Sequence, residues 1–207
     1  MTTQTLNSMD ELALSALKEV GNIGAGNAMT ALATMLDQNV DMSVPRVGII
    51  PLSEFALMTG GEETISVGVY MPVEGDAPGH VAFLWPEASA LRLAEQLMGL
   101  PLGSTDSLDE VACSALTEVG NILASSYLVA IGEMTELNLL SCPPALAYDM
   151  TSAILSEVAA AFASMEDQAL TITTHIGEAF GAVDGFFLYI PEPGSLKIML
   201  HALQLDI

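Results

Sequence analysis

Basic residues are scarce in this chain. Its 207 residues include four Lys and Arg against 26 Asp and Glu, which gives a formal net charge of -22. Nucleic-acid binding is excluded, because it depends on Lys and Arg that neutralise the phosphates. An anionic membrane surface likewise requires a polybasic patch. We expect the acidic surface to serve either solubility or life in a salty cytoplasm, where charge repulsion is screened.

Metal-binding and membrane-spanning patterns are missing as well. Cys113 and Cys142 fit a reducing compartment, and the three histidines show no metal-ligand spacing, so no metal site is predicted. The N-terminus lacks the basic and apolar segments of a signal peptide, and no run of about 18 apolar residues follows. Because 51% of the residues are apolar, the chain can form a substantial core. We expect a folded cytoplasmic protein without membrane insertion.

One segment of the chain occurs twice. The sequence DELALSALKEVGNI at residues 10–23 matches DEVACSALTEVGNI at residues 109–122 in eleven of fourteen positions, at an offset of 99. Pro45 and Pro144 follow the two copies at the same distance. Such a match over a constant offset indicates an internal duplication.

A weaker similarity extends the duplication toward the C-terminus. Residues 84–97 resemble residues 189–203, at an offset that has grown to 105. We therefore expect about six extra residues in the second half, around 149–167. The prediction is a single domain over residues 1–207, made of two repeats at about 9–102 and 107–207.

The pattern of apolar residues predicts an α+β fold with pseudo-two-fold symmetry, in which a long motif helix opens each repeat. The predicted helices lie at about 9–38, 87–99, 107–134 and 194–203. Alternating or β-rich runs predict strands at 47–58, 64–73, 79–85, 169–179 and 181–190. We expect two repeats of α-β-β-α-β type around a central β-sheet.

Local signals add turns and a helix start. Residues 61–63 and 181–182 are typical of hairpin turns. Ser107, with Glu110 three residues later, predicts a capping box for the second long helix. Glycine is costly inside a helix, so the three glycines of the first motif helix predict either close packing against another helix or a local break. They are Gly21, Gly24 and Gly26.

Each motif helix places the same three polar residues on one face, at positions i, i+4 and i+7. These residues are Ser15, Glu19 and Asn22 in the first copy, and Ser114, Glu118 and Asn121 in the second. A solvated polar stripe is the ordinary explanation for one such helix, and a tight packing contact could explain the Gly-Asn step. Retention of the triplet in both copies favours a function, because the fold requires only the apolar residues around it.

A carboxylate beside an amide suits phosphoryl transfer better than other chemistry. The sequence has no Ser-His-Asp set, metal cluster or P-loop. Phosphoryl transfer depends mainly on positioning and charge neutralisation. An amide can orient a water for in-line attack, and a carboxylate can pair with a lysine of a substrate protein. The metal and the cationic groups could then come from that partner.

The double motif resembles the signature of the CheC, CheX and FliY phosphatases, in which D/S-x-x-x-E-x-x-N is followed by 22 residues and Pro. The resemblance implies a CheC-like fold of two swapped α-β repeats that hydrolyses the aspartyl phosphate of the chemotaxis response regulator CheY. It implies that Glu19 and Glu118 pair with the regulator's active-site lysine, and that Asn22 and Asn121 position the attacking water. The regulator supplies Mg²⁺, and this chain is expected to bind no cofactor.

Supporting residues and a second partner follow from the same resemblance. Ser15 and Ser114 are expected to support the motif, while Pro45 and Pro144 shape the loop or strand that faces each helix. The receptor deamidase CheD is the implied regulatory partner. We expect it to bind near the predicted helix that begins at Asp149.

Two other functions stay open at this point. One is a non-enzymatic interaction module similar to the middle domain of the flagellar switch protein FliM. The other is an adaptation regulator that binds CheD and has little catalysis of its own. The two intact Glu-Asn sets favour the phosphatase, because a scaffold would have no use for them.

Overall fold

The computed structural model describes residues 11–37, 39–161, 168–177 and 182–205. The first half contains α1 (Glu11–Leu36), β1 (Met42–Pro51), α2 (Leu52–Met58), β2 (Ile65–Gly75), β3 (Gly79–Pro86) and α3 (Glu87–Leu97). The second half contains α4 (Glu110–Thr135), β4 (Leu139–Ser141), β5 (Ala145–Met150), α5 (Thr151–Ala161), β6 (Gln168–Ile176), β7 (Val183–Pro191) and α6 (Ser195–Ala202). The α+β class and the two long motif helices are confirmed.

Within each half the order of elements is α-β-α-β-β-α, apart from the extra short strand β4. This differs from the predicted α-β-β-α-β order because the segment predicted as a strand at 47–58 changes conformation at Pro51. Proline has no N–H to continue the pairing of a strand, and its φ of -58° suits the residue before a helix. The consecutive residues Phe55 and Ala56 are both buried, which fits the apolar face of α2 and not an alternating strand.

One antiparallel sheet joins the two halves, in the order β1-β6-β7-β3-β2-β4, and β5 also pairs with β2. The first long strand of each half pairs with the other half: β1 with β6, and β5 with β2. Strands β3 and β7 pair at the centre, where Ala82 lies opposite Leu188. Each half thus completes the sheet of the other, as the predicted swapped arrangement requires.

Helices cover both faces of the sheet. Strand β3 is buried along nearly its whole length, and its residues alternate between two apolar clusters. Val81 and Phe83 belong to the larger cluster, which includes residues of α1 and α4. Ala82 and Leu84 belong to the smaller cluster, which includes residues of α2 and α5. The motif helices therefore share one face of the sheet with residues of α3 and α6, and α2 and α5 cover the other face.

The two motif helices touch at Gly24 of α1 and Tyr127 of α4. A Cβ atom built on Gly24 would lie 2.3 Å from Cδ1 of Tyr127, so only glycine permits this contact. The buried Tyr127 hydroxyl shares a hydrogen bond of 2.7 Å with Thr174 of β6, and its ring packs on Phe187 at a centroid distance of 4.9 Å. Burial raises the pKa of Tyr127 to about 12. The predicted close packing is confirmed at Gly24, and α1 continues without a break.

Helix α4 is long and apolar enough to cross a membrane, judged by length and composition alone. Half of its most apolar 18-residue window is nevertheless buried inside the protein. Leu116, Leu123 and Tyr127 all belong to the larger apolar cluster. The apolar character of α4 is explained by these core contacts.

Two local predictions were wrong. Asp109, and not Ser107, caps α4, because its Oδ1 accepts the Ala112 N–H at 2.8 Å. Residues 61–63 connect α2 to β2 and so do not form a hairpin turn. Strands β6 and β7 do pair as a hairpin, although most of its turn lies outside the described residues. The extra residues expected in the second half lie partly in α5, which has 11 residues where α2 has seven.

The connection between the halves is tied to α3 by one acidic side chain. Glu95 is buried, and its carboxylate accepts the backbone N–H of Gly103 at 2.8 Å and that of Thr105 at 2.7 Å. These bonds, first of all that of Gly103, hold the pKa of Glu95 below its ordinary value despite the opposing effect of burial. The position of the connection therefore depends on an ionised carboxylate.

Candidate functional site

The polar triplet of α1 faces the surface, as predicted. Ser15, Glu19 and Asn22 are all exposed. Leu17 and Val20 lie on the opposite side of the helix and are each 1% exposed. We call the three polar residues the first half-site. The helix directs them outward because its apolar positions fill the core.

The triplet of α4 forms the second half-site, with one difference in exposure. Ser114 and Glu118 are exposed, and Asn121 is half-buried. The amide of Asn121 accepts a hydrogen bond of 3.3 Å at its Oδ1 atom from the Ser125 hydroxyl. Both amides can be reached from solvent, but only the second has a described side-chain partner within its own helix.

The glycine that precedes each asparagine has a packing role. A Cβ on Gly21 would lie 3.0 Å from both Val44 and Val47 of β1, and one on Gly120 would lie 2.6 Å from Val69 of β2. Glycine lets each motif helix lie close to the sheet. The packing explanation therefore accounts for the glycine of the Gly-Asn step. It does not account for the asparagine, which faces away from the sheet.

The two motif prolines lie at comparable places in the strands. Pro45 is exposed on β1, where the pairing with β6 shifts in register between Ser43 and Arg46. Pro144 lies between β4 and β5, where the pairing of the second half with β2 is interrupted. Both interruptions are expected of a residue without an N–H donor. In the first half the irregular segment includes Val44, which contacts the motif helix.

An open depression lies beside the second half-site. It has a volume of about 780 Å³ and is lined by Glu110, Val111, Ser114, Ala115, Thr117 and Glu118. Val111 is an exposed aliphatic residue of this depression, with 65% of its surface accessible. The depression combines an apolar contact with two carboxylates and no cation. Its shape and charge suit a basic side chain presented by another protein.

The half-sites differ in charge next to the shared glutamate. Lys18 precedes Glu19 in α1 and is exposed, whereas Thr117 precedes Glu118 in α4. The Thr117 hydroxyl donates to the Cys113 carbonyl at 2.8 Å, so it is occupied within the helix. Only the first half-site therefore has a positive charge in its own motif.

The described residues contain no group of three or more His, Cys, Asp or Glu side chains that could hold a metal ion. Cys113 and Cys142 are half-buried free thiols. The half-sites can thus donate and accept hydrogen bonds and supply negative charge.

Sequence reasoning missed two residues at the second half-site, Ser125 and Val111. Both could have been found from the repeat alignment, in which Ser125 corresponds to Gly26 and Val111 to Leu12. Asp149, the residue expected near a second partner, is exposed on β5, where its carboxylate accepts the N–H of Met150 at 2.7 Å. It lies two residues before the start of α5 and apart from the motif residues in sequence.

Comparisons of the sequence and of the structure with known proteins point to related proteins. The CheC-like family matches the chain twice, at residues 12–49 and 111–148. The CheY-P phosphatase CheC of Bacillus subtilis (strain 168) is 34% identical over 172 residues, a match that covers 82% of each chain. The structure of Thermotoga maritima FliY superposes with a TM-score of 0.74 at 17% identity, and covers 96% of this chain and 98% of that one.

A flagellar switch protein shares the fold at greater distance. The middle domain of FliM from H. pylori has a TM-score of 0.65 at 12% identity, and covers 94% of this chain and 99% of that one. At this identity the likeness concerns the fold alone. The relationship to CheC is closer, because 34% identity extends over most of both sequences. The chain belongs to the CheC-like family.

Proposed function

We propose that this protein is a phosphatase that hydrolyses the aspartyl phosphate of phosphorylated CheY in the cytoplasm. The observation that supports it most is the outward-facing Glu-Asn pair present on both motif helices, in a chain 34% identical to a CheY-P phosphatase. The apolar core explains why each helix has its buried residues. It does not explain two outward-facing carboxylate-amide pairs at the same spacing.

In this proposal the glutamates bind the partner. Glu19 and Glu118 are exposed and lie one helical turn before the amides, where each can pair with the lysine beside the regulator's phosphoryl group. The negative surface depression next to Glu118 favours such a cation. Pairing also brings the amide of the same helix face to the phosphoryl group. The carboxylates thus set the register of the complex.

The asparagines position the nucleophile. The amide oxygen of Asn22 or Asn121 accepts a hydrogen bond from a water, and the NH₂ group can donate to a phosphoryl oxygen. The water attacks phosphorus in line with the bond to the aspartate oxygen. That bond breaks, and inorganic phosphate and the aspartate carboxylate are released. Positioning of this kind is a large part of catalysis in phosphoryl transfer.

The other motif residues support this arrangement. Ser15 and Ser114 lie one turn before the glutamates and extend the polar face, and Pro45 and Pro144 shape the strand segments that follow each motif helix. The Mg²⁺ ion that neutralises the phosphoryl group belongs to the regulator in this proposal, and this chain needs no cofactor. Each half-site is then only one part of a composite centre.

Regulation by the receptor deamidase CheD is a second part of the proposal. The support for it is the family resemblance, together with the longer α5 of the second half. Asp149 lies at the start of that region and is exposed. Binding there would leave the motif helices accessible, because α5 covers the opposite face of the sheet. Control of CheY phosphorylation in sensory adaptation would follow from such binding.

The non-catalytic alternatives are less well supported. A FliM-like switch module explains the fold, but not the two outward-facing Glu-Asn pairs. A CheD-binding regulator without catalysis leaves the same pairs unexplained. Neither alternative predicts that a change confined to the motif amides would alter the lifetime of phosphorylated CheY.

The test follows the loss of phosphate from phosphorylated CheY with four proteins. These are the wild type, Glu19→Ala plus Asn22→Ala, Glu118→Ala plus Asn121→Ala, and the variant with all four changes. We expect partial loss of activity in each half-site variant. In the quadruple variant we expect a fall by about a hundredfold, since misplacement of reacting groups has effects of that order.

Glu133→Ala is the matched control, because Glu133 is an exposed glutamate of α4 outside the motif. It should retain wild-type activity. Undiminished dephosphorylation by the quadruple variant would contradict the proposed function. Equal losses in the two half-site variants would show that both half-sites work.

A further inference from the structure

We propose that Ser125 is a positioning residue for Asn121, and that the first half-site lacks this support because Gly26 occupies the corresponding place. The inference rests on the proposed function. It makes the two half-sites unequal in a specific way, in that one amide is oriented before the partner arrives and the other is not.

The bond of Ser125 differs from those of five other hydroxyls in the described long helices. A Ser or Thr inside a helix commonly donates to the backbone carbonyl four residues earlier. The residues that do so here are Thr30, Thr34, Thr117, Ser126 and Thr135. Ser125 donates instead to the side chain four residues earlier, at Oδ1 of Asn121 and a distance of 3.3 Å.

This hydrogen bond selects one orientation of the amide. The last torsion of asparagine is broad, so an unsupported amide can exchange the places of its oxygen and its NH₂ group. A donor fixed beside Oδ1 favours the orientation in which the oxygen faces Ser125. The oxygen still has a second lone pair for a water, and both N–H donors stay free for phosphoryl oxygens. Ser125 therefore orients Asn121 without consuming its capacity to act.

Burial strengthens the effect in the second half-site. Asn121 and Ser125 are both half-buried, whereas Asn22 is exposed. Water competes less well for a partly enclosed hydrogen bond. The Asn121 amide is therefore held more firmly than the Asn22 amide, which faces open solvent.

The first half-site has room for a serine equivalent to Ser125, but that position is a glycine. Gly26 lies four residues after Asn22, as Ser125 lies four residues after Asn121. A Cβ built on Gly26 meets nothing within 4 Å, so a serine fits there without displacing a neighbour. Gly26→Ser is thus a gain-of-function counterpart to the loss of Ser125.

Each half-site is tested in the absence of the other, with phosphorylated CheY as substrate. In the Glu19→Ala plus Asn22→Ala background, Ser125→Ala should lower kcat by about three- to tenfold, the factor that one neutral hydrogen bond changes in a rate. KM should stay unchanged, because Glu118 still binds the partner. Ser125→Thr should retain the kcat, since threonine keeps the hydroxyl.

The reciprocal change uses the Glu118→Ala plus Asn121→Ala background. There Gly26→Ser should raise kcat by about three- to tenfold, again without a change in KM. Gly26→Ala is the control for the added Cβ and for helix stability, and it should leave kcat unchanged. Ser126→Ala is the control for Ser125→Ala and is made in the Glu19→Ala plus Asn22→Ala background. It should leave kcat unchanged, because the Ser126 hydroxyl donates to the backbone carbonyl of Ile122 and not to Asn121.

Several results would overturn the inference while leaving the proposed function intact. They are an unchanged kcat on Ser125→Ala, an equal loss on Ser125→Thr, an unchanged kcat on Gly26→Ser, or an inactive second half-site when the first is removed. Failure of the proposed function is recognised separately. It would appear as full activity in the quadruple variant, where no motif Glu or Asn remains.

Discussion

Two glycines of α1 that are two residues apart, and so lie on roughly opposite sides of the helix, have opposite surroundings. Gly24 lies against the ring of Tyr127, where a Cβ would come within 2.3 Å of Cδ1, and Gly26 faces open space. Tyr127 cannot easily yield, because it is fully buried, hydrogen-bonded to Thr174 and packed against the tilted ring of Phe187. The contact between the motif helices thus depends on a single missing side chain.

We predict that Gly24→Ala destabilises the protein by about 1–3 kcal/mol, the usual cost of an extra group in a packed core. Gly26→Ala should stabilise it by about 0.4–1 kcal/mol, because alanine reduces the entropy of the unfolded chain and fits the helix. Urea unfolding of the two variants measures both changes. Equal effects of the two substitutions would show that helix propensity, and not the Tyr127 contact, decides the outcome.

For single residues, the sequence predicts the helix face on which a side chain lies better than it predicts the contacts of that side chain. The spacing of Ser15, Glu19 and Asn22 suffices to place them on one face, because a helix fixes that geometry. The bond from Ser125 to Asn121 needs side-chain torsions that no spacing specifies. The pattern predicts Ser107 as the cap of α4, whereas Asp109 two residues later takes that place, because sequence alone does not decide between two capping residues so close together.

One buried carboxylate connects helix α3 to the segment between the two halves. Glu95 of α3 accepts two backbone N–H groups from the segment that links the halves. Its folded-state pKa is below the ordinary value of 4.5. The stabilisation is therefore fully present above that value, and it is lost as the pH falls through the folded-state pKa.

We predict that Glu95→Gln lowers the Tm at pH 7, because an amide has one oxygen where the carboxylate has two. The difference in Tm between wild type and variant should shrink as the pH falls below 4.5. Thermal unfolding followed by circular dichroism from pH 7 to about pH 3 measures it. Glu133→Gln, an exposed change in α4, serves as the control. A difference that grows toward acid would contradict the assigned role.

Element types were predictable where the pattern was long and regular. α1 and α4 have apolar residues at helical spacing over many turns, so both were found. The sequence predicts a strand where the short helix α2 lies, because seven residues after Pro51 are too few to show a helical period. The strands β4 and β5 have mostly exposed or half-buried residues, which removes the alternation that would identify them.

The whole molecule combines a sheet in which strands of the two halves pair with each other and a strongly acidic surface. The pairing of β1 with β6 and of β5 with β2 spans about half of the chain, and no local pattern in the sequence specifies it. The duplication itself was visible, because eleven of fourteen positions in the motif segment agree. The symmetry was therefore predictable from sequence, whereas the strand order required the structure or a family resemblance.

The net charge of -22 predicts that salt stabilises the fold. From about 0.01 M to about 1 M NaCl the Debye length falls from about 30 Å to about 3 Å, which screens the repulsion between carboxylates. The Tm should rise over this range, and mostly at its lower end. Differential scanning calorimetry in NaCl at fixed pH measures the effect. A Tm that stays constant or falls would show that repulsion between carboxylates does not limit stability.

The central claim is that the two motif amides act in the hydrolysis of the aspartyl phosphate. The direct measurement is the rate of phosphate loss from phosphorylated CheY with wild-type protein and with Asn22→Ala plus Asn121→Ala, a variant that keeps both glutamates. We predict that the wild type accelerates the loss and that the variant leaves it close to the rate of CheY alone, while its Tm is unchanged. Acceleration by the variant equal to that of the wild type would contradict the account.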